Sequence, residues 1–272
     1  MKTFRLTFTL LLYFFVQCAY PMDVTLDREE DIQFILMSGR IAPGDAERLA
    51  KVAIDFARKS GYPLKAFRVD SAGGDVNEAI RIAAIVRGLY GSVKVVNNRY
   101  CASSCFLIWL NGAVRIASGS DVKSDGGMLI VHRPYFGDER MNGADAVALG
   151  QRQVEAMKAT RSYLEDNLVP RTLIDEMLSR PSNDGYSLKQ KDLNMLGQIP
   201  PWFEEVSIAK CNFRRGLVEE IVAEDTRGRP AEAQRLRLLD ESIIQCQHQI
   251  RESASTSYLK KLSTGWRPWK AK

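Results

Sequence analysis

The stretch Asp70-Ser-Ala-Gly-Gly-Asp75, with Cys101-Ala-Ser-Ser-Cys105 further along the chain, decides the fold of this 272-residue protein. The first segment places two glycines after a predicted strand, and the second places two serines at the start of a predicted apolar helix. A third segment, Val131-His132-Arg133-Pro134, ends another predicted strand. Glycine backbone that approaches a substrate closely, a hydroxyl and an imidazole are the parts of an oxyanion hole, a nucleophile and a general base. The order of the three segments therefore indicates nucleophilic catalysis by serine.

Strand and helix patterns alternate on both sides of this stretch. Apolar runs predict strands at Ile32 to Met37, Ala66 to Val69, Val93 to Val96 and Met128 to Val131. Helical spacing and capping residues predict helices after Pro43 and after Asp75, and then at Ser103 to Leu110 and Ala144 to Asp166. This alternation favours an α/β domain with a mostly parallel sheet over residues 28–200.

The chain changes character after Pro200-Pro201. Two helices are predicted there, Val206 to Glu224 and Ala231 to Glu252, joined by a turn at Thr226 to Pro230. We therefore expect a helical hairpin over residues 201–255.

The last segment, 256–272, is basic. It carries five Lys or Arg residues, no acidic residue, and the two tryptophans Trp266 and Trp269. We expect a solvated, mobile tail here rather than a segment in contact with anionic lipid.

The N-terminus has the three-part pattern of a secretory signal peptide. Lys2 and Arg5 precede the apolar run Leu6 to Val16, and the small residues Cys18-Ala19 follow it. The run is short for a membrane span, and a retained N-terminal anchor is the alternative. We expect residues 1–19 to be a signal peptide and the protein to be exported, either to the periplasm or out of the cell.

The composition argues against nucleic acid as a partner. The formal net charge is only +5 at pH 7, and the sequence contains neither a basic helix nor zinc-finger spacing. The 45% hydrophobic content is enough for one sizeable core with an appendage.

Four cysteines remain after signal cleavage, and an even number in an exported chain indicates disulfides. Cys101 and Cys105 are close enough in sequence at a helix start to pair with each other. Cys211 and Cys246 lie almost equally far from Gly228, in the predicted hairpin turn, so they should face each other across the hairpin. The alternatives are two buried free thiols in the hairpin and a zinc site at the first pair. We expect no metal, because the sequence offers no evident fourth ligand.

A serine needs a base to take its proton, and the chain has only two histidines. His132 follows the glycine and serine segments at the end of a predicted strand, whereas His248 lies in the C-terminal helices. His132 is therefore the candidate base. The N–H groups of Gly74 and Ser104 are the natural pair of oxyanion donors, since the helix start adds a favourable dipole.

At this point the sequence resembles the proteolytic subunit of Clp protease. Ser71-Ala-Gly-Gly-Asp-Val is similar to the Ser-Pro-Gly-Gly motif of that family, with Ala72 in place of the proline. The segment from Cys101 to Gly112 resembles the nucleophile helix of the family, and Ile130-Val-His-Arg-Pro134 resembles its histidine strand. The helix after His132 resembles its handle helix, and Ile35 to Ile41 its first core strand. The resemblance covers roughly residues 30–200.

The resemblance implies the Clp/crotonase fold, a superhelix of repeated ββα units, and assigns roles to residues. Carried over, Ser103 is the nucleophile, His132 the base, and Gly74 and Ser104 the oxyanion donors. The catalytic acid of the family falls near Leu173 to Tyr186, where Asp184 is the candidate. Asp175, or Met177 in another register, are the alternatives.

We therefore expect an exported serine hydrolase, a peptidase acting on a peptide or protein without a cofactor. No ATPase partner is expected outside the cytosol, and a homo-oligomer is left open. A second hypothesis is a non-catalytic binding or assembly protein that retains the fold. A third is acyl-CoA chemistry of the crotonase type, which uses the same two N–H donors, but export away from the CoA pool argues against it.

Overall fold

The computed structural model describes residues 21–135, 143–181 and 183–270, so the expected signal peptide lies outside the described residues. Over these residues the protein is a mixed α/β molecule with two sheets. The larger sheet has the order β1-β2-β3-β4-β6 and the smaller has the order β5-β7-β8. The strands are β1 (Asp23–Glu29), β2 (Ile32–Ser38), β3 (Ala66–Asp70), β4 (Ser92–Val95), β5 (Tyr100–Ala102), β6 (Val114–Ile116), β7 (Met128–Val131) and β8 (Tyr186–Ser187).

The centre of the larger sheet is parallel, as the alternating pattern predicts. Strands β2, β3, β4 and β6 pair in parallel, and their inward side chains form the core with the covering helices. Strand β1 was not expected, because its sequence is polar and most of its residues are exposed. It is held as an antiparallel edge strand by a complete ladder to β2, from Asp23 opposite Ser38 to Glu29 opposite Ile32.

In the described part of the chain, six helices accompany the sheets. They are α1 (Asp45–Ser60), α2 (Val76–Gly88), α3 (Cys105–Leu110), α4 (Gly143–Asp166), α5 (Arg171–Ser179) and α6 (Gln190–Leu196). All six residues of α3 are buried, in agreement with its continuous apolar sequence. The nucleophile segment therefore leads directly into the core.

The start of α2 has only one half of a capping box. The Asp75 carboxylate accepts the Glu78 N–H at 2.7 Å, as a helix N-cap does. Glu78 turns to the neighbouring helix instead, where Oε1 accepts the N–H groups of Gly44 at 3.0 Å and Ala46 at 2.8 Å. One buried carboxylate thus caps α1 and ties α1 to α2.

Three helices follow: α7 (Pro201–Cys211), α8 (Leu217–Thr226) and α9 (Pro230–Ser263). The prediction of one helix from Val206 to Glu224 is wrong, because the chain breaks it between α7 and α8. Asn212 has φ 54° and Gly216 has φ 76°, and both values lie in the left-handed region that ends a right-handed helix. Helices α8 and α9 form the hairpin, and its turn contains Gly228 with φ 68°.

The expectation of a mobile tail from residue 256 is also wrong. Helix α9 continues to Ser263, and Ser255, Leu259 and Leu262 are buried at helical spacing. The Tyr258 hydroxyl donates to the Ala84 carbonyl at 3.1 Å, and Arg267 Nε lies 2.6 Å from a Glu47 carboxylate oxygen. Lys260 and Lys261 lie exposed on the outer face of α9, whose inner face belongs to the core.

Within the described residues, no helix combines the length and apolar character needed to cross a bilayer.

Candidate functional site

The Gly-Gly turn and the Ser-Ser turn lie against each other. Backbone hydrogen bonds join the end of β3 to β5, from Ser71 N–H to the Tyr100 carbonyl at 3.0 Å and from Ala102 N–H to the Ser71 carbonyl at 2.8 Å. A Cβ atom on Gly73 would lie only 2.7 Å from both the Ala102 oxygen and the Ser103 Cβ. The two sequence segments touch at this point, and only glycine leaves room for the contact.

Ser103 occupies the turn between β5 and α3 in a left-handed conformation, with φ 56°. Its N–H donates to the Ile130 carbonyl on β7 at 2.9 Å, and the residue is half-buried. A serine rarely adopts this backbone conformation unless the surroundings impose it. Ser103 is therefore held in a sharp strand-to-helix turn.

A disulfide closes this turn. Cys101 on β5 and Cys105 at the start of α3 are bonded, with their Cα atoms 5.3 Å apart, and both residues are fully buried. The bond brackets Ser103 on both sides and fixes the entry of the chain into α3. With the thiols joined to each other, the zinc alternative loses its two sulfur ligands. Within the described ranges, no cluster of three or more His, Cys, Asp or Glu side chains could hold a metal ion.

Ser104 is placed differently from Ser103. It is 4% exposed, and its Oγ accepts the Gly74 N–H at 2.9 Å and donates to the Gly74 carbonyl at 3.2 Å. The structure thus brings the two expected oxyanion residues together, but it joins them through the Ser104 hydroxyl. The neighbouring Gly73 N–H donates to the Ser71 hydroxyl at 3.0 Å, a support that the sequence analysis missed. A serine just before a glycine pair is the signal that could have indicated it.

His132 follows β7, the strand that pairs in parallel with β5, so it and Ser103 leave neighbouring strands at the same edge. The imidazole is nearly buried, and its Nδ1 lies 2.8 Å from the carbonyl oxygen of Arg133. A carbonyl can only accept, so Nδ1 carries a hydrogen, and in the neutral imidazole the lone pair is then on Nε2. This tautomer is the one that a general base requires.

The structure does not bring the candidate acid to His132. Asp184 is exposed and pairs with Arg180 at 3.2 Å, while Asp175 pairs with Arg161 at 2.7 Å. Among the residues described, no carboxylate is hydrogen-bonded to the His132 ring. Its Nδ1–H is instead satisfied by a backbone carbonyl.

The remaining sequence candidates lie in the C-terminal helices. His248 is exposed on α9. Cys211, at the end of α7, is bonded to Cys246 on α9, with their Cα atoms 5.6 Å apart. The pairing is the expected one, although Cys211 lies on α7 rather than on the hairpin helix α8.

A buried arginine supports the nucleophile helix from its other end. Arg115 on β6 is 2% exposed and reaches the carbonyl groups of Leu110 and Leu196, the last residues of α3 and α6. Its guanidinium lies 5.3 Å from the centre of the Trp109 ring. Burial lowers the pKa of Arg115 to about 10, so the side chain stays charged and matches the negative helix ends.

Comparisons with known proteins give a distant likeness only. No family model matches the chain, and no curated protein matches it. Among solved structures it is similar to ClpP1 from Listeria monocytogenes, with 17% identity and a TM-score of 0.43 over 61% of this chain and 88% of that one. A point mutant of the same protein gives 16% identity, the same coverage and the same TM-score.

Proposed function

We propose that the protein is an exported serine hydrolase with a Clp/crotonase-like fold, and that it cleaves peptide bonds. The observation that carries the proposal is the left-handed Ser103, fixed between the Gly73 turn and the Cys101–Cys105 disulfide. Strain of this kind persists only where surrounding structure imposes it, and it is concentrated at functional sites. The same backbone geometry lifts a hydroxyl out of a strand-to-helix turn in other serine hydrolases.

In the proposed reaction, Ser103 Oγ attacks the carbonyl carbon of the substrate while His132 Nε2 accepts the hydroxyl proton. The negative charge that develops on the carbonyl oxygen is stabilised by the N–H groups of Gly74 and Ser104. The C–N bond then breaks, His132 returns the proton to the leaving amine, and Ser103 keeps the acyl group. A water molecule, deprotonated by His132, releases the acid and restores the serine.

The Arg133 carbonyl takes the place of the usual carboxylate in this proposal. It holds the correct imidazole tautomer, which is one of the two tasks of the acid in a serine triad. It carries no full charge, so it stabilises the imidazolium less than a carboxylate does. We therefore expect a slow Ser-His dyad, with Asp184 outside the catalytic group.

The disulfides support the export of the protein, and the resemblance to Clp protease supports its substrate class. Two intramolecular disulfides are typical of a protein that folds in an oxidising compartment. The peptide substrate and a homo-oligomer follow from the resemblance to Clp protease, and outside the cytosol no ATPase partner is expected.

Labelling with a fluorophosphonate, which reacts with activated serines, tests the proposal. Wild-type protein should be labelled, and Ser103→Ala should lose all labelling. His132→Ala should slow labelling by at least about 100-fold, because a general base contributes roughly 10²–10⁴-fold. His248→Ala is the matched control and should react like wild type. Equal losses in the two histidine variants would remove the role of His132.

A binding or assembly protein is the second candidate function. The observation that favours it is the absence of a carboxylate at His132 within the described part of the chain. It predicts that neither wild type nor any variant is labelled between pH 6 and 9.

A further inference from the structure

We propose that the Ser104 hydroxyl is an internal blocker of the oxyanion hole, displaced when a substrate oxygen becomes negatively charged. The inference rests on the proposed hydrolase function and adds to it a residue that controls when the site is complete.

The first step is the hydrogen bonding of Gly74. Its N–H donates to Ser104 Oγ at 2.9 Å, and the same hydroxyl donates back to the Gly74 carbonyl at 3.2 Å. One hydroxyl therefore occupies both polar groups of Gly74. A single N–H serves one acceptor well, so the Gly74 donor is taken before a substrate arrives.

The second donor is in the opposite state. Among the described residues, the Ser104 N–H donates to no backbone or side-chain acceptor, because the hydrogen bonds at the start of α3 begin with the Phe106 and Leu107 N–H groups. The hole thus has one open donor and one closed donor. The Ser104 hydroxyl closes the Gly74 donor, and the open donor is the N–H of the same residue, Ser104.

The Gly74 backbone is too well fixed to open the hole itself. The Asp75 N–H donates to the Ile41 carbonyl at 3.0 Å, and the Ile41 N–H donates to the Gly73 carbonyl at 2.9 Å. A Cβ on Gly74 would lie 2.1 Å from the Ile41 oxygen, so the glycine is pressed against this neighbour. Rotation of the Ser104 side chain about its Cα–Cβ bond is then the simplest way to free the donor.

The blocker selects for charge. A neutral carbonyl oxygen accepts a hydrogen bond about as well as a hydroxyl, so it gains little by displacing Ser104. An oxyanion forms a bond about twice as strong and displaces the hydroxyl. The Gly74 N–H therefore bonds the oxyanion of the transition state but not the neutral carbonyl oxygen of the bound substrate.

The test compares Ser104→Ala with Ser71→Ala. Both serines are buried, and each accepts an N–H from one glycine of the same turn, at 2.9 Å and 3.0 Å respectively. Ser104→Ala should raise the second-order rate of fluorophosphonate labelling about fivefold, the equivalent of one neutral hydrogen bond. It should also accelerate hydrogen exchange at the Gly74 amide. Ser71→Ala should do neither, because it frees only the Gly73 N–H.

Each outcome decides the question. Labelling of wild type with no gain in Ser104→Ala would overturn the blocker and leave the hydrolase standing. An equal gain in both variants would point to general loosening of the turn and would also overturn the blocker. Absence of labelling in every variant would overturn both proposals.

A measurement without mutation covers the case in which Ser104→Ala does not fold. In wild type, the Gly74 amide proton should move downfield in the NMR spectrum when the phosphonate adduct forms, because the strongly polarised phosphoryl oxygen, held covalently at the site, replaces the hydroxyl as its acceptor. An unmoved resonance in a fully labelled sample would refute displacement.

Discussion

The nucleophile turn and the C-terminal helical hairpin are built from the same parts but held in different ways. Each has a glycine at positive φ and each is linked to a disulfide. At the nucleophile turn the disulfide spans four residues, and backbone atoms surround Gly73. At the hairpin the disulfide spans 35 residues, and nothing lies within 4 Å of a Cβ placed on Gly228. Packing fixes the turn, whereas a cross-link over a long loop fixes the hairpin.

The hairpin depends on the cross-link for stability because its own apolar core is small. The buried apolar residues of α8 and of the first part of α9 form, with Cys211 at the end of α7, a small cluster separate from the main core: Cys211, Leu217, Ile221, Leu236 and Ile243. A cluster of this size contributes little free energy of unfolding by itself, because few side chains are fully removed from water. Glycine and a disulfide therefore fix the backbone geometry at the nucleophile turn, whereas in the hairpin the disulfide mainly adds stability.

The same glycine substitution in both regions should give the largest contrast. Gly73→Ala combines a strained φ of +90° with contacts at 2.7 Å to the Ala102 oxygen and the Ser103 Cβ, and should lower the free energy of unfolding by about 4 kcal/mol or more. Gly228→Ala meets only the left-handed strain at φ +68°, and should cost about 1–2 kcal/mol. Urea unfolding of the two variants measures the difference. Equal losses would mean that the nucleophile turn is not tightly packed.

The contrast also explains how much of the fold the sequence predicts. Patterns that satisfy themselves locally, such as the apolar strands β2, β3 and β4 and the continuous apolar run of α3, appear where expected. Strand β1 was not anticipated, because its polar residues form a strand only through the β2 ladder. The prediction of a mobile tail from residue 256 was wrong because Leu259 and Leu262 are apolar residues interspersed with charged ones. They are recognised as a core face only once their packing partners are known. Glu78 caps α1, a partner that is distant in sequence.

For the candidate site, sequence motifs predict positions but not hydrogen bonds. The Gly-Gly and Ser-Ser segments meet because glycine is required where backbones touch. The bond from Gly74 to the Ser104 hydroxyl depends on a side-chain rotamer, which no sequence pattern encodes. The partner of His132 is a backbone carbonyl, and every residue has one, so the sequence gives no signal for it.

Removing each disulfide should separate stability from geometry. Cys211→Ala with Cys246→Ala should lower the free energy of unfolding by about 4 kcal/mol, because the unfolded chain regains a long loop, and should leave labelling of Ser103 unchanged. Cys101→Ala with Cys105→Ala should cost about 2 kcal/mol through its short loop, plus the loss of buried packing, and should slow labelling strongly. Thermal unfolding and labelling of both double variants test this. Slower labelling in the hairpin variant would contradict the division.

A leucine pair on α9 tests whether its end belongs to the core. Leu262 is 1% exposed, so Leu262→Ala should lower the free energy of unfolding by about 3 kcal/mol. Leu238 on the same helix is 56% exposed, and Leu238→Ala should change it by less than about 0.5 kcal/mol. Chemical denaturation of both variants gives the comparison. Similar small effects would restore the idea of a loosely attached tail.

The smallest expected effect concerns the Tyr258 hydroxyl, which joins α9 to α2. Tyr258 donates to the Ala84 carbonyl at 3.1 Å, and burial raises the pKa of Tyr258 well above its usual value, with Arg267 opposing the shift. At neutral pH, Tyr258→Phe should therefore lower the free energy of unfolding by about 1 kcal/mol, through the lost hydrogen bond.

The pH dependence of this variant gives the sharper test. In the unfolded chain a tyrosine loses its proton near pH ~10, whereas folded Tyr258 keeps it, so above that pH the unfolded state binds fewer protons. The contribution of Tyr258 is then complete below pH ~10 and falls as the pH rises, by up to about 1.4 kcal/mol per pH unit. The phenylalanine variant lacks this loss, while Tyr163 and Tyr186, whose pKa values burial also raises, remain in both proteins and cancel. The stability advantage of wild type over the variant in urea unfolding should therefore shrink from pH 8 upward and be lost by pH ~11. A constant gap would mean that the end of α9 is open to water around Tyr258, and that α9 is attached to the core less firmly than the nucleophile turn.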